Sequence, residues 1–171
     1  MAALMEHATP EIAPCFALGA FAGLRSEEIL RLEWGDVTRR PGFIEVAAHK
    51  AKTATRRLVP ITENLAHWLG PLGANGLVWQ NTKPMFHKTR LRVAAQAGVK
   101  WKQNVLRHSF ISYRLAEIQD VNRVALEAGN SPQMIFRHYR ELATPAQART
   151  WFTIAPEAAP NVVPIGAVKA K

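Results

Sequence analysis

The stretch AGNSPQMIFRHY, residues 128–139, decides how the rest of the chain reads. Ser131 followed by Pro132 is a helix-opening signal. The serine hydroxyl can accept from a free first-turn amide, and proline has no amide to leave unpaired. The pair predicts a short helix reaching Tyr139. Upstream, helical patterns occupy about Met85 to Ala97, Val105 to Ala116 and Asp120 to Ala128. Downstream, Thr144 and Pro145 repeat the opening signal before Trp151 and Phe152.

Towards the amino terminus, an apolar helix is predicted from about Pro10 to Phe21, closed by Gly23. A second opens at Ser26 with Glu27 and Glu28 in its first turn, where negative charge meets the positive end of the helix dipole. Pro41 and Gly42 mark a turn into a strand over Phe43–Val46. The basic loop HKAKTATRR (residues 49–57) leads to a returning strand over Leu58–Ile61, and Leu77–Trp79 reads as a third short strand. Thr62 caps a helix carrying Leu65, Trp68 and Leu69. The fold class is therefore mainly α with a small antiparallel β-sheet.

The chain has 171 residues, 48% of them hydrophobic, which suits one domain with a proper core. Lysine and arginine outnumber acids by 22 to 13, for a formal charge of +9. A domain that basic commonly meets a polyanion, most often nucleic acid. Cys15 is the single cysteine, which excludes an internal disulfide and a cysteine-based metal site. The longest apolar run, Ile12 to Leu24, is too short for a membrane span.

Three more segments carry chemistry: AGLRSEEILRLEW (22–34), HKAKTATRRLVPI (49–61) and NVLRHSF (104–110). With residues 128–139 they resemble, in order and at compatible spacings, the catalytic domain of tyrosine recombinases of the phage integrase family. That family carries Gly-Leu-Arg-x-x-Glu in the first segment, so Arg25 matches its first catalytic arginine and Glu28 the acidic companion. It places a lysine eight residues before the proline of Val-Pro-Leu, where Lys52 stands before Pro60. Arg107 matches the second arginine, in His-x-Leu-Arg-His. Tyr139 stands nine residues after Asn130, the family's usual step from Leu-Gly-His to the nucleophile.

The resemblance implies site-specific DNA recombination, integration or excision, through a 3′-phosphotyrosine. Tyr139 would attack, Arg25 and Arg107 would bind the scissile phosphate, Lys52 would act as general acid, and Glu28 would orient Arg25. Such chemistry suits these residue types. A phenolic oxygen forms an ester that conserves bond energy, and two guanidiniums can hold non-bridging oxygens with paired donors. Lys50, Arg56 and Arg57 of the basic hairpin are expected to contact DNA phosphates. No cofactor and no metal are implied.

Two positions depart from the pattern. Asn104 stands where the family has histidine or lysine, and Asn130 where it has histidine or tryptophan. An asparagine amide can donate to a phosphate, so Asn130 is a tolerable replacement. Asn104 cannot take a proton, which removes the expected help to Tyr139. His108 or His138 could substitute, although His108 matches a position that is usually buried and structural. The alternatives are a catalytically impaired DNA-binding or assembly module of the same fold, and a type IB topoisomerase-like activity.

The expected organisation is an integrase-like catalytic domain over residues 1–154 and a flexible tail over 155–171. Matching starts early, with about twenty residues before Arg25, so the chain is expected to be cut from a longer protein with an amino-terminal core-binding domain. Double-stranded DNA is the expected partner, with a homo-tetramer forming on DNA, a monomer without it, and no membrane. The implied location is the cytoplasm of a bacterium, at the nucleoid. Tyr139 is expected to sit in an inactive placement when DNA is absent. Trp34, Trp68 and Trp79 are expected to be packing residues.

Overall fold

The computed structural model describes residues 1–50, 56–70, 75–139 and 142–156. Helix α1 (Ala2–Glu6) precedes α2 (Ala13–Phe21), and two short helices follow, α3 (Ser26–Ile29) and α4 (Trp34–Thr38). Strands β1 (Phe43–Val46) and β2 (Arg57–Pro60) pair antiparallel, with Ile44 opposite Val59 and Val46 opposite Arg57. Helices α5 (Glu63–Leu69), α6 (Lys83–Gln96), α7 (Val105–Ile118), α8 (Val121–Ala128), α9 (Pro132–Tyr139) and α10 (Pro145–Phe152) complete the described order. The protein is mainly helical, with a small two-stranded sheet.

Helix α2 is the spindle. Every residue from Cys15 to Phe21 is buried, as befits a helix apolar all round, and it packs against α3, α5 and α7. Burial pushes the Cys15 thiol up to about 12, so it stays protonated as a small apolar filler. Gly23 follows at φ +65°, and a Cβ there would lie 2.3 Å from Cδ1 of Phe110. Both the backbone and the close approach of α7 therefore require glycine.

Helix α7 buries Arg107, Phe110, Ile111 and Arg114, a stripe at positions i, i+3, i+4 and i+7. Its middle is apolar and each end is a guanidinium. Phe110 and Ile111 join Val124, Ala125, Ala128, Ile135 and Tyr139 in a second apolar cluster beside the main core. Arg114 is neutralised by Glu127, with Nε 2.8 Å from Oε2, and by Glu117 at 2.6 Å. Helix α10 opens with a reciprocal Thr144–Gln147 capping box and folds back on its own core. The Trp151 indole donates to the Ala20 carbonyl at 3.0 Å and stacks on Tyr113, centroids 4.4 Å apart.

Sequence and structure differ at several places. Helix α1 was not anticipated, and Trp34 opens α4 rather than trailing α3. Leu77 forms only an isolated bridge to Glu33, not a third strand. Trp34 and Val78 instead make single main-chain bonds, to Gly76 and Leu32. Trp34 and Trp79 are buried, and the Trp68 indole donates to the Ile154 carbonyl, so all three pack. Lys52 and residues 157–171, nearly all of the expected tail, lie outside the described residues. Among the described residues, no helix is long and apolar enough to cross a membrane.

Candidate active site

Four chain segments, linked by contacts across as many as 105 positions, bring side chains together at the carboxyl end of α2. Arg25 stands in the turn after Gly23, immediately before α3. Its Nη1 donates to Glu28 Oε1 and its main-chain N–H to Glu28 Oε2, at 3.0 and 2.9 Å. Its Nη2 donates to the carbonyl of Gly129 and to Asn130 Oδ1, both at 3.0 Å. Arg107, in the first turn of α7, donates through Nη1 to the Gly23 carbonyl at 2.5 Å and through Nη2 to the same Asn130 Oδ1 at 2.9 Å.

One oxygen thus receives both arginines. Since guanidiniums only donate, the group between them must be the amide oxygen of Asn130, and its NH₂ faces elsewhere. The two carbonyls that complete the cradle belong to left-handed glycines after α2 and α8, Gly23 and Gly129 at φ +65° and +63°. A Cβ on Gly129 would come within 3.2 Å of the Arg57 side chain.

Glu28 is 1% exposed and organises the cationic cluster. Arg57 grips it in a two-pronged pair, Nη1 to Oε1 at 3.0 Å and Nη2 to Oε2 at 2.7 Å. Burial favours the neutral acid, yet the bonds and charges of Arg57 and Arg25 outweigh it and hold the carboxyl below its ordinary value. Arg107 has no such partner. Burial first, and then the charge of Arg25, push its guanidinium down to about 9, with Glu28 opposing only partly. A buried cation with neutral oxygens for company is electrostatically unfinished, and an anion would complete it.

Tyr139 ends α9, and it is 7% exposed. Its hydroxyl lies 2.5 Å from Nδ1 of His108, and the two rings are nearly parallel at 22°. Burial raises the phenol above its ordinary value, and the charges of Arg107 and Arg25 pull against that rise. The hydrogen bond of the hydroxyl goes to His108 and not to either guanidinium. His108 itself is lowered, by burial and then by Arg107 and His138. At neutral pH it is uncharged, with Nδ1 free to accept when the proton is on Nε2.

Several sequence expectations need correction. His108 is exposed, not a core residue. It is one residue, about 100°, round α7 from the buried Arg107 and so stands at the edge of the stripe. Arg57 is not a DNA-contacting side chain: it is 9% exposed and committed to Glu28. Lys50 is likewise 8% exposed, with its ammonium 2.7 Å from Asp36 and 3.1 Å from Glu33. Burial would lower that ammonium, but the two carboxylates more than compensate and raise it. Arg56 stays at the surface, paired with Glu45 at 2.8 Å.

Asn104 precedes α7 in the left-handed conformation, φ 54° and ψ 22°, which asparagine tolerates better than most residues. It is exposed and lines a cleft of about 660 Å³ together with Arg25, Arg31, His87, Arg90 and Trp101. It makes no side-chain bond to Tyr139. Among the described residues, no group of three or more His, Cys, Asp or Glu is placed to hold a metal ion. Comparison with protein-family models, characterised proteins and solved structures gives no match.

Proposed function

We propose that this domain cleaves and rejoins DNA as a tyrosine recombinase does, with Tyr139 as nucleophile. The observation that carries the reading is the convergence of Arg25 and Arg107 on a single oxygen, Asn130 Oδ1. A non-bridging phosphate oxygen has the charge and the acceptor capacity to take the place of Asn130 Oδ1. Asn130 would then turn its amide donors to the phosphate.

In the proposed reaction the Tyr139 oxygen attacks phosphorus, and its proton passes to Nδ1 of His108. The phosphorus–O5′ bond breaks, leaving a 3′-phosphotyrosyl ester and a 5′-hydroxyl. The resemblance assigns Lys52 to protonate that leaving oxygen. Arg25 and Arg107 stabilise the charge that accumulates on the phosphorane, where one such donor typically contributes ~3–4 kcal/mol. Rejoining reverses the steps with a 5′-hydroxyl from another strand, so site-specific integration or excision on a DNA-bound homo-tetramer is the biological process proposed.

A second reading is a DNA-binding module that does not cut, and Asn104 favours it because an amide cannot act as a base. The test is a pool of nicked suicide duplexes incubated with the protein and resolved under denaturing conditions. A covalent adduct formed by the wild type and lost in Tyr139→Phe supports cleavage. Tight binding without any adduct selects the second reading.

A further inference from the structure

The cleft that exposes Arg25 also contains Arg90, a guanidinium that the proposed reaction leaves unused. Arg90 projects from α6 between two aromatic rings, its carbon 5.8 Å from the Phe86 centroid and 5.5 Å from that of Trp101. Its Nη1 reaches the hydroxyl of Ser26 at 3.5 Å. Ser26 follows Arg25 directly in the chain, so Arg90 reaches the residue next to Arg25, and both arginines line the cleft.

The acids nearby are engaged elsewhere. Glu27 lines the same cleft but pairs with Lys83 at 2.6 Å, and Glu28 is held by Arg57. Lys50 is spent on Asp36 and Glu33. Among the described residues, neither Arg90 nor its neighbour Arg31 has a carboxylate within 4.0 Å. The Nε of Arg90 and Nδ1 of His87, one turn apart on α6, are enclosed without a hydrogen-bond partner. Groups left unpaired in a cleft wall commonly mark a place where a ligand is missing. The Arg90 guanidinium is also lowered, mainly by burial, with Glu27 only partly opposing.

We infer that Arg90, fixed by Phe86 and Trp101 and flanked by Ser26, Arg31 and His87, forms a second phosphate subsite that takes the phosphodiester next to the one held by Arg25 and Arg107. Aromatic stacking orients the guanidinium plane and leaves its outer edge for a paired contact with phosphate oxygens. A strand gripped at two successive phosphates cannot slide along the cleft, so the subsite would set which phosphorus faces Tyr139. The inference rests on the nucleic-acid reading of the Arg25–Arg107 site.

The test is fluorescence anisotropy with a duplex of mixed sequence, measured between about 50 and about 200 mM salt. Each phosphate contact contributes ~0.9 to the slope of log affinity against log salt. Arg90→Met, which keeps the apolar stem between the rings, is expected to reduce the slope by ~0.9, as is Arg25→Gln. The double variant is expected to lose about twice as much. Arg90→Lys keeps the charge, so it should retain the slope while binding more weakly than wild type. It also serves if the methionine variant does not fold. A wild-type slope in Arg90→Met, or wild-type affinity in Arg90→Lys, while Arg25→Gln still lowers the slope, overturns the subsite and leaves the proposed active site standing. Slopes unchanged in every variant overturn both.

Discussion

Replacing His108 by alanine isolates proton transfer from everything else in the site. His108 is exposed and its side chain meets Tyr139 at the hydroxyl and the ring, so the change leaves no cavity in either core cluster. The stability loss should stay within about 1 kcal/mol. A positioned general base contributes typically 10²–10⁴-fold. Water can reach the hydroxyl once the imidazole is gone, which argues for the low end, ~10²-fold or ~3 kcal/mol in the barrier. The assay is single-turnover adduct formation on nicked duplex from pH 5 to 9, alongside a thermal melt. Only the neutral imidazole can accept. Because His108 is lowered from 6.5, wild-type cleavage should hold through neutrality and fall only as pH drops below that value. The variant should lose this acid limb. Cleavage within about threefold of wild type with the same limb would refute the assignment of His108 as acceptor.

Two further substitutions probe the charge balance. Asn130→Asp supplies the counter-charge that Arg107 lacks and should stabilise the fold by about 1–2 kcal/mol while weakening duplex binding through repulsion of phosphate. An aspartate between two guanidiniums has its pKa depressed. The gain is therefore present above the unfolded value near ~3.9 and lost as pH falls through the folded one, and melts at neutral and acid pH check it. Unchanged DNA affinity would contradict the anion reading. Glu28→Gln leaves Arg25 and Arg57 clustered near Arg107 with no acid between them, and should destabilise by about 3–5 kcal/mol, on the order of 10 °C in Tm. The Glu28 carboxyl is lowered from 4.5. Its contribution is thus complete above that value and disappears as pH falls through the folded pKa, so the wild-type and variant melts should converge in acid.

Much of this architecture was legible in the residues. Helix openings at Ser131 and Thr144 and the closure at Gly23 follow from local hydrogen-bonding and φ requirements, which act over a few residues. The convergence of Arg25 and Arg107 on Asn130 was legible only through the resemblance, because contacts across as many as 105 positions have no local signature. Arg57 could have been placed better. Strand alternation puts it on the same face as Val59, and an inward arginine needs an acid. Its partner Glu28 lies 29 positions away, and nothing local points to it. His108 was expected in the core because it matches a family position that is usually buried and structural. The stripe through Arg107, Phe110, Ile111 and Arg114 puts it at the helix edge instead, where it meets Tyr139.

The central claim is that Tyr139 becomes esterified to the 3′ end of a cut strand. Digestion of the denatured protein–DNA adduct and mass spectrometry of the nucleotide-bearing peptide measure this directly. The expected result is one peptide containing Tyr139 linked to a 3′-phosphate, with a free 5′-hydroxyl on the released strand. A linkage at Tyr113, a 5′-phosphate linkage, or no modified peptide from a protein that binds the duplex would contradict it.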